Sequence, residues 1–224
     1  MEAGILAIWN GCAPEGEAEY ERWYMAEHLP ERLGVPGFRF GRRYESVSAT
    51  PKYFTFYETD TPDVLASASY VARLGNPTAR TRRVMPSFRD MNRTVCRKAA
   101  AFGDGLIGAH ALSLRFRRRP DAAEAAALRA ALLGEIRACP GVVAGQLWLV
   151  VDLDVPALAA ETGLRGRPDD SIGGALVVET SWAEEAAALQ SKLRDLPARS
   201  GFAGEAELGL YRFLCQLSNQ GDRT

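Results

Sequence analysis

The sequence predicts an α+β protein: two tandem ferredoxin-like (βαββαβ) units whose antiparallel sheets face one another and close, or nearly close, into a barrel. Three observations carry this. The order strand–helix–strand–strand–helix–strand occurs twice within 224 residues. Landmarks recur in the same places: Pro36-Gly37 as Pro140-Gly141, "FYET" (Phe56 to Thr59) as "VVET" (Val177 to Thr180), and Cys96 as Cys215. Finally, "VVAGQLWLVV" shows no alternation, so the second sheet must be covered on the face its helices leave open.

In the first half, "GILAIWN" is a short apolar strand, and "PEGEAEYERWYMAEHL" has helical spacing, with Pro14 and acidic residues suited to a helix start. "FRFGRRYES" and "KYFTFYET" are aromatic and β-branched runs flanking the turn-prone "VSATP", which reads as a hairpin. "PDVLASASYVARL" is a second helix, broken by "GNP", and "NRTVCRKA" a fourth strand. "AAAFGDGLIGA" reads as the linker, which gives units over 1–101 and 106–217.

The second half repeats the pattern. "HALSLRF" is a strand, and "DAAEAAALRAALLGEIRAC" an alanine-rich helix capped by Asp121. "GVVAGQLWLVV" and "GGALVVET" follow as strands, "SWAEEAAALQSKLRDL" as a helix, and "AELGLYRFLCQL" as the closing strand. Its hairpin carries an insertion over 152–171, a lid or simply a long loop.

Composition excludes several classes. With 47% hydrophobic and 25% charged residues and a net charge of −1, nothing drives the chain toward nucleic acid or an anionic membrane. No apolar run approaches the roughly 20 residues of a membrane span. The start "MEAGILAIWNG" lacks the basic segment of a signal peptide, so a cytoplasmic location is expected. Cys12, Cys96, Cys139 and Cys215 form no CxxC pair, which argues against zinc or a redox dithiol and for free thiols. No P-loop, HExxH or GxSxG occurs, and neither a metal nor a cofactor is expected.

Candidate chemistry concentrates in "YERWYMAEHLPERLGVPG" (residues 20–37). On a helical wheel Ala18, Met25, Ala26, Leu29 and Leu33 share one side, and Tyr20, Trp23, Tyr24, Glu27 and His28 the other. The aliphatic side is expected to pack on the sheet. The aromatic side then needs a ligand, a neighbouring loop or another subunit. Pro30 should end or kink the helix near His28, where the helix dipole favours the protonated imidazole. That suits proton transfer, an anion contact or plain helix stabilisation. In the second half, counting back from Pro140, Trp23, Tyr24 and His28 become Ala127, Leu128 and Leu132, so any site belongs to the first unit. The hairpin could add Arg42, Tyr44, Tyr53 and Tyr57 as a wall suited to an oxygenated aromatic or a carboxylate. The basic run could bring Arg80, Arg82, Arg83, Arg89, Arg93 and Arg97 together as an anion patch, but it holds a single aromatic, Phe88, and reads more simply as a solvated face or as partners for Glu15 to Glu21.

The combination "WY..EHLPERL..PGF..GRRYE" followed by a hairpin strand resembles the dimeric α+β barrel superfamily, and most of all its EthD-like members. That resemblance implies a pseudo-dimeric barrel made within one chain, with a ligand pocket in or at the mouth of the barrel. It also implies a functional histidine at His28. The superfamily's muconolactone isomerases and cofactor-free monooxygenases suggest a cofactor-independent isomerase or monooxygenase acting on an oxygenated or aromatic metabolite. His28 would be acid or base, Arg42 or Arg43 anion stabiliser, and Trp23, Tyr24, Tyr44 and Tyr57 pocket wall. The alternatives are a non-catalytic, stress-associated protein whose aromatic helix face makes an oligomer contact such as a homodimer, and a haem-binding protein.

Overall fold

The structure, a computed structural model, describes residues 2–153 and 158–219. Eight antiparallel strands form one closed barrel in the order β1-β3-β2-β8-β5-β7-β6-β4. They are β1 (Gly4–Cys12), β2 (Phe38–Ser48), β3 (Tyr53–Thr59), β4 (Phe88–Phe102), β5 (His110–Phe116), β6 (Val142–Val150), β7 (Gly174–Thr180) and β8 (Ala206–Ser218). The first four strands lie side by side as β4-β1-β3-β2 and the last four as β8-β5-β7-β6, the same internal order. Seams β2–β8 and β4–β6 join the halves and leave no open sheet edge. Strand β4 runs through the expected linker: Ala100, Ala101 and Phe102 pair with β6.

Alternation divides each strand between two cores. Ile5, Ala7 and Trp9 point into the barrel with Tyr44, Phe54, Phe56, Trp148 and Tyr211. Trp9 stacks on Phe54 with ring centroids 4.9 Å apart, and Phe56 meets Trp148 at the same distance. This aromatic stack fills the barrel, so its interior is a packed core where the resemblance implies a ligand pocket.

Helices α1 (Glu17–Trp23), α2 (Leu29–Leu33) and α3 (Ala68–Gly75), with the short α4 (Ala79–Val84), cover the outer face of the first sheet. Helices α5 (Ala122–Ala131) and α7 (Ala183–Arg199) cover the second. Both Pro-Gly turns need their glycines: Gly37 has φ +89° and Gly141 φ +69°, and a Cβ there would strike Val64 and Glu185. At Gly41 a Cβ would stand 2.7 Å from Leu29, so glycine lets the α2 turn come down on β2.

Two expectations about the first helix are corrected. Up to the π turn its aromatic side faces the sheet: Tyr20, Trp23, Tyr24 and His28 are buried, whereas Ala18 and Ala26 are exposed and Met25 is 44% exposed; of the expected aliphatic side only Leu29 and Leu33, beyond that turn, are buried. Large aromatic rings remove more apolar area from water than alanine and methionine do, so they take the inner face. Nor does Pro30 end the helix. A π turn over Tyr24–His28 takes up the irregularity and the chain continues helically to Leu33. His28 is therefore inside the helical run and not at its C-terminal end.

The second half has its own π turn over Leu132–Ile136 but no further helical turn. Matched on the π turns, His28 corresponds to Ile136, Tyr24 to Leu132 and Tyr20 to Leu128, all buried and apolar. Trp23→Ala should cost about 3–5 kcal/mol, and Ala26→Ser no more than about 0.5 kcal/mol. Urea denaturation of the two variants distinguishes this helix orientation from the opposite one.

Candidate functional site

The first unit's helix-to-sheet core carries a polar cluster at one end. His28 is 6% exposed and lies between the rings of Trp23 (centroids 4.3 Å apart) and Tyr24 (4.9 Å). Its Nδ1 is buried with no hydrogen-bond partner among the described residues. Trp23 is fixed by its indole N–H, which donates to Thr81 Oγ1 at 3.1 Å. Tyr57 and Tyr24 hydroxyls meet at 3.3 Å.

One helical turn beyond His28, Arg32 points the same way, as the spacing of four dictates. From the sheet comes Arg93, opposite Ile8 and flanked by Met91 and Val95 at strand spacing. Above both sits Glu161, from helix α6 (Leu158–Arg165) of the second-half insertion. Arg32 Nη2 donates to Glu161 Oε1 and Arg93 Nη1 to Oε2, each at 2.5 Å, and all three side chains are buried. Arg93 Nη2 also donates to the Tyr70 hydroxyl. Arg165 stands 3.8 Å from Glu161 and is paired with Asp169. Backbone bonds hold the returning insertion to β4, Arg93 N–H to Asp170 O and Asp170 N–H to Met91 O.

These groups enclose a void of about 20 Å³, room for a single water molecule, lined among others by Tyr24, His28, Arg32, Phe88, Arg93 and Glu161. Phe88, Met91 and Arg165 also border an open depression of about 600 Å³ carrying Arg89, Arg115, Arg117 and Arg167. Burial, then the nearby Arg32, pushes the His28 imidazole well below its ordinary value, so it is a neutral base. Burial alone would raise Glu161, but Arg32 and Arg93 hold it down to about 2. The dipole-favoured imidazolium expected from the sequence gives way because His28 is desolvated and inside the helical run.

The structure brings together only part of the expected constellation. Trp23, Tyr24, Tyr57 and His28 share the outer face of the first sheet. Arg43 is on that face too, stacked at 3.9 Å on Tyr24 and paired with Glu21 at 3.0 Å, and it does not line the void. Arg42 and Tyr44 point to the opposite side of the sheet. Tyr44 belongs to the barrel core, and Arg42 pairs with Glu179 at 2.5 Å. The hairpin register places Tyr44 opposite Phe54 and Arg42 opposite Phe56, so neither can share a wall with Tyr53 and Tyr57. Trp23 and Tyr24, buried within the chain, offer no surface to another subunit. The basic run is also dispersed: Arg80 pairs with Glu19, Arg97 with Glu2, and Arg93 is buried.

Arg32 and Glu161 were missed, and Arg93 was read only as one of a basic run and not as a partner of His28. Arg32 could have been found from its spacing to His28, and Arg93 from its place between two apolar strand neighbours. Glu161 has no local signal, being 129 residues from Arg32.

No family model matches the chain, and no curated protein is significantly similar to it in sequence. Solved structures do match over nearly the whole chain. An anthrone oxidase-like protein superposes with a TM-score of 0.66 at 11% identity, covering 98% of this chain and 94% of that one. A candidate monooxygenase from Lactobacillus acidophilus NCFM gives 0.57 at 9% identity, covering 98% and 97%. A chlorite dismutase from Candidatus Nitrospira defluvii gives 0.52 at 10%, covering 93% and 90%. The likeness is one of fold. The chain has a dimeric α+β barrel-type architecture.

The space beside the His28 imidazole admits a water, so neither a haem macrocycle nor a smaller aromatic ring fits there without displacement of a lining side chain. Among the described residues no group of His, Cys, Asp and Glu is arranged to hold a metal ion, and no helix is long and apolar enough to cross a membrane.

The pKa shifts set the acid response. His28 takes up a proton less readily folded than unfolded, so stability falls as pH drops below its ordinary 6.5. Glu161 is depressed from 4.5 to about 2, so its stabilisation is complete above 4.5 and is lost as pH falls toward 2. The second loss approaches about 3 kcal/mol. Urea denaturation at successive pH values should show both losses, with Glu161→Gln flattening the lower one.

Proposed function

We propose that this chain binds an oxygenated aromatic metabolite between the first unit's helices and its sheet, and acts on it without a cofactor as a monooxygenase or isomerase. The observation that carries the reading is a neutral, buried histidine with an unpartnered Nδ1 beside two buried guanidiniums. His28 accepts the proton of a phenol or enol. Arg32 and Arg93, in place of the Arg42 and Arg43 expected from the sequence, stabilise the anion that forms. An isomerase returns the proton at carbon; a cofactor-free monooxygenase gives the same anion to dioxygen. Trp23 and Tyr24 hold the imidazole, and Tyr57 holds Tyr24. Neighbours of the same fold named for anthrone oxidase and monooxygenase support this class of chemistry.

We read the two halves, with matching strand order, Pro-Gly turns and π turns, as a tandem ferredoxin-like duplication of EthD-like type working in the cytoplasm. The second unit serves as scaffold. A homodimer would use exposed Met25, Leu214 and Leu217 and not the aromatic face. A non-catalytic binding role draws support from the near-closed void and the internally paired charges.

Oxygen uptake with anthrone and naphthohydroquinone separates the readings. A monooxygenase consumes oxygen, and His28→Ala lowers kcat about 10²–10⁴-fold. Tight binding without turnover supports the binding protein. A kcat unchanged in His28→Ala removes His28 from the chemistry.

A further inference from the structure

Among the charged clusters outside the helix face, Arg42–Glu179 is locked between barrel strands, and Arg115–Glu207 bridges neighbouring strands at the mouth. The cluster around Glu161 is built differently. Two buried arginines, one from the first helical run and one from β4, each take one oxygen of the same carboxylate. That carboxylate comes from the insertion, the segment of the second half without a counterpart in the first.

We propose that Arg32 and Arg93 form the anion subsite of the His28 pocket, that Glu161 occupies it as an internal stand-in, and that the ligand is an aromatic carboxylate that displaces it. The proposal rests on the small-molecule reading above and narrows its substrate class. Charge supports it. Glu161 is the carboxylate that Arg32 and Arg93 share, whereas Arg165 has Asp169 as a second partner, so the two guanidiniums take their common counter-charge from Glu161. Withdrawing Glu161 would leave two buried guanidiniums uncovered, which a ligand carboxylate satisfies with the same two-oxygen geometry.

Shape supports it as well. Ile8, Tyr24, Phe88 and Met91 supply apolar walls beside the two arginines, a combination suited to an aromatic ring bearing an acid. The void itself holds only a water, so the ring requires the volume that the Glu161 side chain now fills. The open depression, bounded by Phe88, Met91 and Arg165 in common with the void, supplies the approach; Arg115 and Arg117 are paired with Glu207 and Asp170, and its five arginines still outnumber the carboxylates of Asp90, Asp170 and Glu207, a balance that favours an anion.

The test uses binding alone, so it is independent of turnover. 1-Hydroxy-2-naphthoate and its neutral analogue 1-naphthol are titrated into the full chain, following tryptophan fluorescence. Glu161→Ala vacates volume for either ring, and is expected to tighten binding of the naphthoate at least ten-fold more than binding of 1-naphthol. Adding Arg32→Gln is expected to abolish the difference. Equal gains for both compounds, or none for the naphthoate, overturn the proposal.

If Glu161→Ala does not fold, Glu161→Gln removes the competing charge and leaves a neutral side chain that a carboxylate displaces more readily. Its Tm is then expected to rise with millimolar benzoate and not with benzamide, and equal responses overturn the proposal. Anion-selective tightening without oxygen uptake sustains the subsite and defeats the catalytic reading. Turnover of neutral phenols without carboxylate selectivity does the reverse.

Discussion

The first unit is organised around a single constraint: guanidiniums buried against an aromatic cluster must be paired. Arg32 and Arg93 sit beside Tyr70 and His28, where an unpaired charge would cost several kcal/mol. Glu161 meets both, and although burial alone would raise its carboxyl, Arg32 and Arg93 hold it below the ordinary carboxylate range. Because Glu161 belongs to the second half, satisfying the first half's charges draws the insertion across its surface. Hydrogen bonds from Asp170 to the start of β4 then fix it there.

The two halves share a framework and differ in what fills it. Both have a helix with a π turn ahead of a Pro-Gly turn, and both close the barrel with the same strand order. In the second half the inward helix positions Leu128, Leu132 and Ile136 make a dry core. In the first, Tyr20, Tyr24 and His28 occupy the matching places, and polar atoms enter with them. Packing the barrel interior with Trp9, Phe54, Phe56, Trp148 and Tyr211 gives both sheets a rigid common floor. The proposed site lies on the outer face of the first sheet, under its helices.

Strand order, the repeated Pro-Gly turns and the barrel were legible because they depend on local periodicity and on strands with no polar face. The helix orientation was not. Both of its sides contain apolar residues, and only the larger area of Tyr20, Trp23 and Tyr24 decides between them. The state of His28 was misread for a related reason: the effect of Pro30 is absorbed by the π turn, which sequence spacing does not show. Arg42 and Tyr44 parted from Tyr57 because the faces of a hairpin depend on a register that one residue can invert. Glu161 illustrates the largest gap, since a partner 129 residues away is fixed by topology and leaves no local trace.

A double-mutant cycle between Arg32→Gln and Glu161→Gln, read by urea denaturation at neutral pH, tests the coupling of the insertion to the site most directly. Direct contact predicts an interaction energy of about 1–3 kcal/mol between the two positions. Additivity to within about 0.5 kcal/mol would contradict it and leave the insertion a surface loop with no hold on the His28 pocket.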